Sequence, residues 1–205
     1  MKIQDWIVCA FVSSGSPYEF ELTQCLLPSL ERLKIPHYIE VIENQGSWLK
    51  NVAQKPKVVY NAMEKNPSKN IVVLDSDSRI LQYPVLFDNI PEEFDIACHY
   101  LDWNSWYNNG SNIKELLSGT LWIRNNEKMK KIVLEWYNSS CEDFMWEQKC
   151  LAKVLEKHPE IKIFELPLSY VYIASLPNGE KPIVKIDFPH IIHFQKSRKY
   201  KRLIH

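Results

Sequence analysis

The chain has 205 residues, a length typical of a single domain, and its 25 basic and 25 acidic side chains give a formal net charge of zero. This balance excludes a general electrostatic attraction to polyanions, although residues 196–202 form a local basic run. Five cysteines without a CxxC pair argue against a disulfide framework and against a zinc knuckle. No apolar run approaches the ~20 residues of a membrane span, and the first residues do not resemble a signal peptide, so a cytoplasmic protein is expected.

Strands and helices are predicted to alternate along the chain. Short apolar runs predict strands at Trp6–Val12, Tyr38–Ile42, Ile71–Leu74, Asp95–Tyr100, Thr120–Ile123, Ile161–Leu166 and Pro189–Phe194. Helical spacing predicts helices at Glu19–Leu33 (with a kink at Pro28), from Pro56 onward, at Asn126–Asn138 and at Phe144–Lys157. We therefore expect an α/β fold in one domain over residues 1–205, with a mostly parallel central sheet, flanking helices and a basic tail from about residue 195.

The apolar run Ile71–Leu74 leads directly into an acidic pair, Asp75 and Asp77, separated by Ser76. Side chains two residues apart on an extended backbone point the same way, and ligands of open α/β sheets bind beyond the carboxyl ends of strands. Two close carboxylates repel each other unless a cation lies between them, and Mg²⁺ and Mn²⁺ prefer oxygen ligands. The pattern predicts a divalent metal site; a polar turn that caps the strand is the alternative.

The segment IVVLDSDSRI resembles the strand and DxD motif of GT-A glycosyltransferases, whose carboxylates bind a divalent ion that grips the diphosphate of a nucleotide sugar. Four other segments resemble the family in the expected order: GSWLKNVAQKPKVVYNAME, LLSGTLWIRNNEKMKKIVLEWYN, WEQKCLAKVL and HIIHFQKSRKYKR. The resemblance covers most of the chain. It implies a Rossmann-like GT-A domain that uses Mn²⁺ or Mg²⁺ to move a sugar, with UDP the commonest carrier, to an acceptor hydroxyl.

In this family a histidine near the C-terminus binds the metal and cations after it bind phosphate. The alternation of Pro189–Gln195 places His190 and His193 on opposite sides of a strand. We expect His193 to complete the metal site and take His190 as the alternative. Lys196 and Arg198 would then neutralise the diphosphate, although a solvated basic C-terminus is equally compatible with the sequence, because the family's usual Gly and Lys-Pro-Trp are missing here.

Other residues are expected to line the nucleotide-sugar pocket. Ser13 ends the first strand, and Gly119 would permit a close backbone approach by the donor. Ser76 lies between the two acidic residues. Lys55 precedes Pro56 at a helix start, where the helix dipole opposes a cation unless a phosphate is bound; a lysine that points to water is the alternative.

Glu147 shares the apolar face of its predicted helix, so it is expected to point inward. A buried carboxylate is costly unless it is paired or used, which makes Glu147 a candidate catalytic base or sugar contact; a rim residue paired with a lysine is the alternative. Asp143 either caps the helix or acts as the catalytic acid-base. The loop residues Trp103, Trp106 and Tyr107 either contact the acceptor or pack the loop onto the core.

The predicted function is therefore a metal-dependent glycosyltransferase, with a glycan, a protein or a hydroxymethylated DNA base as the acceptor. A haloacid-dehalogenase-like phosphatase is one alternative, but its DxD motif normally continues with Thr or Val near the N-terminus, whereas Ser78 follows here. A nucleotidyltransferase would need a basic Gly-rich loop after the first strand, and SSGSPYEF contains no Lys or Arg. A non-catalytic nucleotide- or sugar-binding module is the remaining alternative.

Overall fold

The structure, a computed structural model, describes residues 4–142, 145–175 and 184–201. The strands are β1 (Trp6–Ser13), β2 (His37–Ile42), β3 (Asn70–Leu74), β4 (Ser78–Ile80), β5 (Ile96–Asp102), β6 (Lys114–Ile123), β7 (Ile163–Glu165), β8 (Tyr172–Ile173) and β9 (Ile191–His193). The helices are α1 (Tyr18–Glu21), α2 (Leu27–Leu33), α3 (Trp48–Val52), α4 (Lys55–Lys65), α5 (Trp103–Tyr107), α6 (Glu127–Glu142), α7 (Glu147–Lys157) and α8 (Ser197–Tyr200). Within the described residues, no helix is both long and apolar enough to cross a bilayer.

The central sheet has six strands in the order β2-β1-β3-β6-β5-β7. β1 pairs in parallel with β2 and β3, and β5 pairs in parallel with β7. β6 runs antiparallel to both of its neighbours, β3 and β5. The sheet is thus mostly parallel, which confirms the predicted α/β class.

Helices cover both faces of this sheet, which explains why two of its central strands, β1 and β3, are almost unbroken apolar runs. Because side chains alternate along a strand, Ile7 and Cys9 face one hydrophobic cluster, where α4, α6 and α7 pack. Trp6 and Val8 face a second cluster, which includes residues of α2. Each strand therefore contributes to two cores at once.

Local irregularities refine the predicted elements. The kink expected in the first helix is a π-helical turn, Leu22–Leu26, between α1 and α2. It lies just before Pro28, which has no N–H to donate to the preceding turn. β6 starts at Lys114, six residues before the predicted start at Thr120, because its first half has only two apolar residues, Leu116 and Leu117, between polar ones. The predicted loop after β5 begins with the short helix α5.

A small second sheet, in the order β4-β9-β8, joins the C-terminal part of the chain to the acidic turn after β3. β4 begins at Ser78, directly after Asp77, and Ser78 pairs with His193 of β9. This antiparallel pairing brings together residues that are more than a hundred positions apart in sequence, and it places His193 beside the end of β3.

Candidate functional site

The acidic turn is fixed by backbone hydrogen bonds to β6 and β9. The Asp75 N–H donates to the Gly119 carbonyl at 3.0 Å, and the Ser78 N–H closes the turn on the Asp75 carbonyl at 3.0 Å. The Phe194 N–H donates to the Asp77 carbonyl at 3.2 Å. The two aspartates therefore project from a backbone that is held from both sides.

Asp75, Asp77 and His193 converge so that one ligand atom from each lies within 4.8 Å of the others. The side chain of Asp75 is 35% exposed, whereas Asp77 and His193 are buried. Two carboxylates and an imidazole are ligands that Mn²⁺ and Mg²⁺ accept. His190, the alternative ligand, instead stacks on Tyr170, with ring centroids 4.6 Å apart.

Residue 119 lies where Asp75 and His193 converge, and it is a glycine. A Cβ atom there would lie 3.0 Å from Asp75 Oδ2 and 3.1 Å from His193 Cε1, which is tighter than most real Cβ contacts, so a larger residue would force these side chains to shift. The absence of a side chain at Gly119 thus lets Asp75 and His193 approach its backbone closely. The residues present fit a divalent metal ion.

Hydrogen bonding selects the tautomer of His193. The Thr120 hydroxyl donates its one proton to the Tyr170 carbonyl at 3.0 Å. The same Oγ1 lies 2.8 Å from His193 Nε2, so it must accept the Nε2–H proton. Nδ1 then carries the free lone pair, as a metal-binding imidazole requires. Burial lowers the pKa of His193 to about 4, which keeps the ring neutral near pH 7.

We expect Thr120→Val to weaken Mn²⁺ binding by about 10–100-fold, the usual cost of losing the partner that orients a metal-bound histidine. Valine keeps the shape of threonine but cannot accept the Nε2 proton. Titration calorimetry with Mn²⁺ measures the effect. Thr23→Val, at an exposed helical threonine, is the matched control and should bind as wild type does. Equal affinities in the two variants would contradict the assigned tautomer.

The pKa of Asp77 is raised, as is expected where two carboxylates lie close enough to share a cation. Burial, followed by the charge of Asp75, raises the pKa of Asp77 to about 7. The Lys196 N–H donates to Asp77 Oδ2 at 2.6 Å and partly offsets this effect. The carboxylate of Asp77 is therefore held in one orientation while its charge is poorly compensated by the protein alone.

Lys55 is a buried cation between two carboxylates. Its Nζ lies 2.8 Å from Asp75 Oδ1 and 2.8 Å from Glu147 Oε1, and only 5% of the residue is exposed. Burial alone would lower the pKa of Lys55, but the Asp75 and Glu147 charges outweigh it and raise the pKa above its ordinary value. Lys55 does not point to water, and its contacts join the acidic turn to α7.

Glu147 is the first residue of α7 and is 1% exposed, as its place on the apolar face predicts. Its Oε1 accepts from Ser118 Oγ at 2.7 Å as well as from Lys55, whereas its buried Oε2 has no hydrogen-bond partner among the described residues. Glu147 is therefore a carboxylate held in one orientation, and its Oε2 is available to accept a hydrogen bond from a ligand. Asp143 lies outside the described residues.

A cavity of about 320 Å³ adjoins the triad. Among its walls are the following residues that the sequence singles out: Ser13, Lys55, Asp75, Ser76, Asp77, Gly119, Glu147, His193 and Arg198. The ammonium group of Lys196 lies 3.2 Å from Glu21, and among the described residues Lys196 is not part of the cavity wall. Basic side chains reach the cavity from Arg198 and Lys201 instead.

The sequence matches no protein-family model and no curated protein. Solved structures do resemble the fold. A glycosyltransferase involved in glycosylation of the major capsid of PBCV-1 aligns over 97% of this chain and 98% of its own, with a TM-score of 0.65 and 12% identity. The chain has the GT-A glycosyltransferase fold.

Two further solved structures share the glycosyltransferase fold. GlyE from Streptococcus pneumoniae TIGR4 aligns with a TM-score of 0.58 and 14% identity, over 93% of this chain and 55% of the GlyE chain. The galactosyltransferase LgtC, solved with donor and acceptor sugar analogs, aligns with a TM-score of 0.54 and 8% identity, over 92% of this chain and 86% of its own. At these identities the likeness concerns the fold.

Two groups of aromatic residues lie at the cavity, one on α5 and one formed by Trp48 and Trp146. Trp106 is buried in a cluster with Leu101, so it pins α5 to the core, while Tyr107 lines the cavity. At another part of the wall Trp48 packs edge-on against Trp146, with centroids 5.9 Å apart, and the Lys201 ammonium lies 3.8 Å and 4.6 Å from the two ring centroids.

Sequence reasoning missed several residues of the cavity wall. Gln148 is fixed at both ends, since its Oε1 accepts from the Ser118 N–H at 3.0 Å and its Nε2 donates to Glu115 at 2.9 Å. The family-like segment WEQKCLAKVL contained Gln148, but spacing alone gave it no role. Trp48 and Lys201 are far apart in sequence, so only the fold reveals their contact.

Proposed function

We propose that the protein is a metal-dependent glycosyltransferase that moves a sugar from a nucleoside diphosphate sugar, specifically a UDP-sugar, to an acceptor hydroxyl. One observation carries the proposal: the Asp75, Asp77 and His193 triad adjoins a cavity in a glycosyltransferase fold. In this proposal the triad holds Mn²⁺ or Mg²⁺. When bound, such an ion neutralises the diphosphate and stabilises it as a leaving group.

The residues beside the triad bind and orient the donor in this mechanism. Ser13, Ser76 and Gly119 form the nucleotide-sugar side of the cavity, and Arg198 offers a planar guanidinium to the phosphates. Lys55 keeps Asp75 and Glu147 in place through its two 2.8 Å contacts. The phosphate-binding role expected of Lys196 requires its ammonium group to leave Glu21, so we propose Lys201 as the second phosphate-binding cation.

Glu147 is proposed to orient the donor sugar. Its Oε2 has no hydrogen-bond partner in the part of the chain that the structure describes, lies in a buried position and belongs to a residue of the cavity wall, so it can accept a hydrogen bond from a sugar hydroxyl. Its Oε1 is already engaged by Lys55 and Ser118. Asp143 stays the second proposed catalytic residue, as the acid-base that serves the acceptor.

The acceptor is a hydroxyl of a glycan, a protein or a hydroxymethylated DNA base. One solved structure of similar fold is a glycosyltransferase involved in the glycosylation of the major capsid of PBCV-1, which supports keeping protein among the acceptors. The predicted cytoplasmic location is part of the proposal and agrees with five cysteines that form no disulfide among the described residues.

A donor assay tests the proposal. The protein is incubated with UDP-, GDP-, CDP- and ADP-linked hexoses, with Mn²⁺ or with EDTA, and released nucleotide is measured with water, oligosaccharides, protein or hydroxymethylcytosine DNA as the acceptor. We expect release from a UDP-sugar only with metal, and faster release with one acceptor class. Release without metal would contradict the mechanism. Binding of nucleotide without turnover of any donor would favour the non-catalytic module.

A further inference from the structure

Glu21 is a buried carboxylate that the donor site does not explain. It is the last residue of α1, directly before the π-helical turn, and is 2% exposed. Among the described residues it is not part of the cavity wall. Because a buried carboxylate is costly unless it is paired, its partners indicate its purpose.

The partners of Glu21 lie mainly in the C-terminal segment, residues 195–201. The Tyr200 hydroxyl donates to Glu21 Oε1 at 2.5 Å, and the Lys196 ammonium lies 3.2 Å from the same oxygen. The Cys25 thiol contacts Oε2 at 3.6 Å. Burial alone would raise the pKa of Glu21, but the hydrogen bonds from Tyr200 and Lys196 lower it below its ordinary value, so the carboxylate is charged near pH 7.

The same segment reaches the acidic pair by its backbone. Gln195 turns the chain with a left-handed φ of 54°, after which the Lys196 N–H donates to Asp77 Oδ2 at 2.6 Å. This hydrogen bond commits one oxygen of Asp77 and fixes the direction of the other. The helix that follows, α8, has only four residues, so it has little stability of its own and depends on tertiary contacts.

A second contact supports the segment from α1. The rings of Tyr18 and Tyr200 pack edge-on with centroids 5.4 Å apart. Glu21 and Tyr18 thus hold α8 from one helix, and α8 continues directly from the residue that orients Asp77. No comparable charged anchor for Lys196 and Tyr200 occurs elsewhere among the described residues.

We propose that Glu21 is a positioning residue for the metal site: by binding Lys196 and Tyr200 it fixes the backbone N–H that orients the Asp77 carboxylate. This inference rests on the proposed metal site. In this inference the ammonium group of Lys196 binds Glu21 and stabilises the C-terminal segment, and it does not bind phosphate.

The test compares Glu21→Gln with Glu31→Gln, an exposed glutamate on α2, by two measurements on the whole chain. Hydrogen exchange of the metal-free protein reports the protection of the Lys196 amide. Titration calorimetry with Mn²⁺ alone reports the site itself. For Glu21→Gln we expect faster exchange in residues 195–201 and about tenfold weaker Mn²⁺ binding, because a charged hydrogen bond is lost. Glu31→Gln should match wild type in both.

Tyr200→Phe is the second variant, and it removes only the hydroxyl that contacts Glu21. It should weaken Mn²⁺ binding in the same direction, and the double variant should be little worse than Glu21→Gln because the two residues act through one contact. Faster exchange with unchanged Mn²⁺ affinity would overturn the inference, since the segment would then be anchored without orienting Asp77. Failure of the wild type to bind Mn²⁺ would instead overturn the proposed function.

Discussion

Asp77→Asn is expected to lower metal-dependent sugar transfer by at least about a thousandfold, because a lost metal ligand removes several kcal/mol of transition-state stabilisation and each 1.36 kcal/mol is a tenfold change. Asparagine keeps the shape of the side chain and a carbonyl oxygen that can accept from the Lys196 N–H. It removes only the charge that holds the cation. Turnover of the UDP-sugar with saturating Mn²⁺ measures the effect.

The same substitution should leave the fold intact. When no metal ion is bound, the carboxylates of Asp75 and Asp77 repel each other, and removing one charge relieves this repulsion. The metal-free variant should therefore melt no lower than the metal-free wild type. Asp187→Asn, at an exposed aspartate, is the matched control and should keep full activity. A metal-free Asp77→Asn protein that melts well below wild type would show that Asp77 serves the fold rather than a cation.

Lys55→Met is expected to lower the free energy of unfolding by about 3–5 kcal/mol, the usual cost of removing one partner of a buried ion pair. The substitution leaves Glu147 buried; its Oε1 loses its cation, and its Oε2 has no hydrogen-bond partner within residues 4–142, 145–175 and 184–201. Denaturation by urea at pH 7.5 measures the change. Lys149→Met, two residues after Glu147 and on the exposed side of α7, should change stability by less than about 0.5 kcal/mol.

A double variant separates the ion pair from general packing around Lys55. Lys55→Met combined with Glu147→Gln removes both charges of the buried Lys55–Glu147 pair and leaves only the Asp75 carboxylate, which is 35% exposed, without its lysine; most of the lost stability should therefore return. If the double variant is as unstable as the sum of the two single variants, the cost of Lys55→Met comes from packing, and the Lys55–Glu147 contact does not organise the site.

The part of the site that is local in sequence could be predicted. Asp75 and Asp77 directly follow the apolar run of β3, and a strand with two buried faces requires such a run. The inward position of Glu147 followed from helical spacing on α7. These inferences succeed because the backbone period of each element determines which side chains share a face.

Contacts between distant segments could not be predicted in the same way. The pairing of Ser78 with His193 brings this histidine to Asp75 and Asp77, yet nothing in either short strand specifies the other. Lys55 was singled out for its place at a helix start, but its two carboxylate partners depend on how α4 and α7 pack against the sheet. The basic tail is visible in the sequence. Which of its cations reach the cavity depends on the fold, because Lys196 contacts Glu21 while Arg198 and Lys201 line the cavity.

The most direct test of the central claim is thermal melting of the wild type and Asp77→Asn with UDP, GDP, CDP and ADP, each with Mn²⁺ and with EDTA. A nucleotide at 100 times its dissociation constant adds about 2.7 kcal/mol, which raises the melting temperature of a chain of this size by about 5–10 °C. The account predicts this rise for UDP with Mn²⁺ in the wild type only. A rise that persists in EDTA or in Asp77→Asn, or no rise with any nucleotide, would contradict a nucleotide-sugar metal site at Asp75, Asp77 and His193.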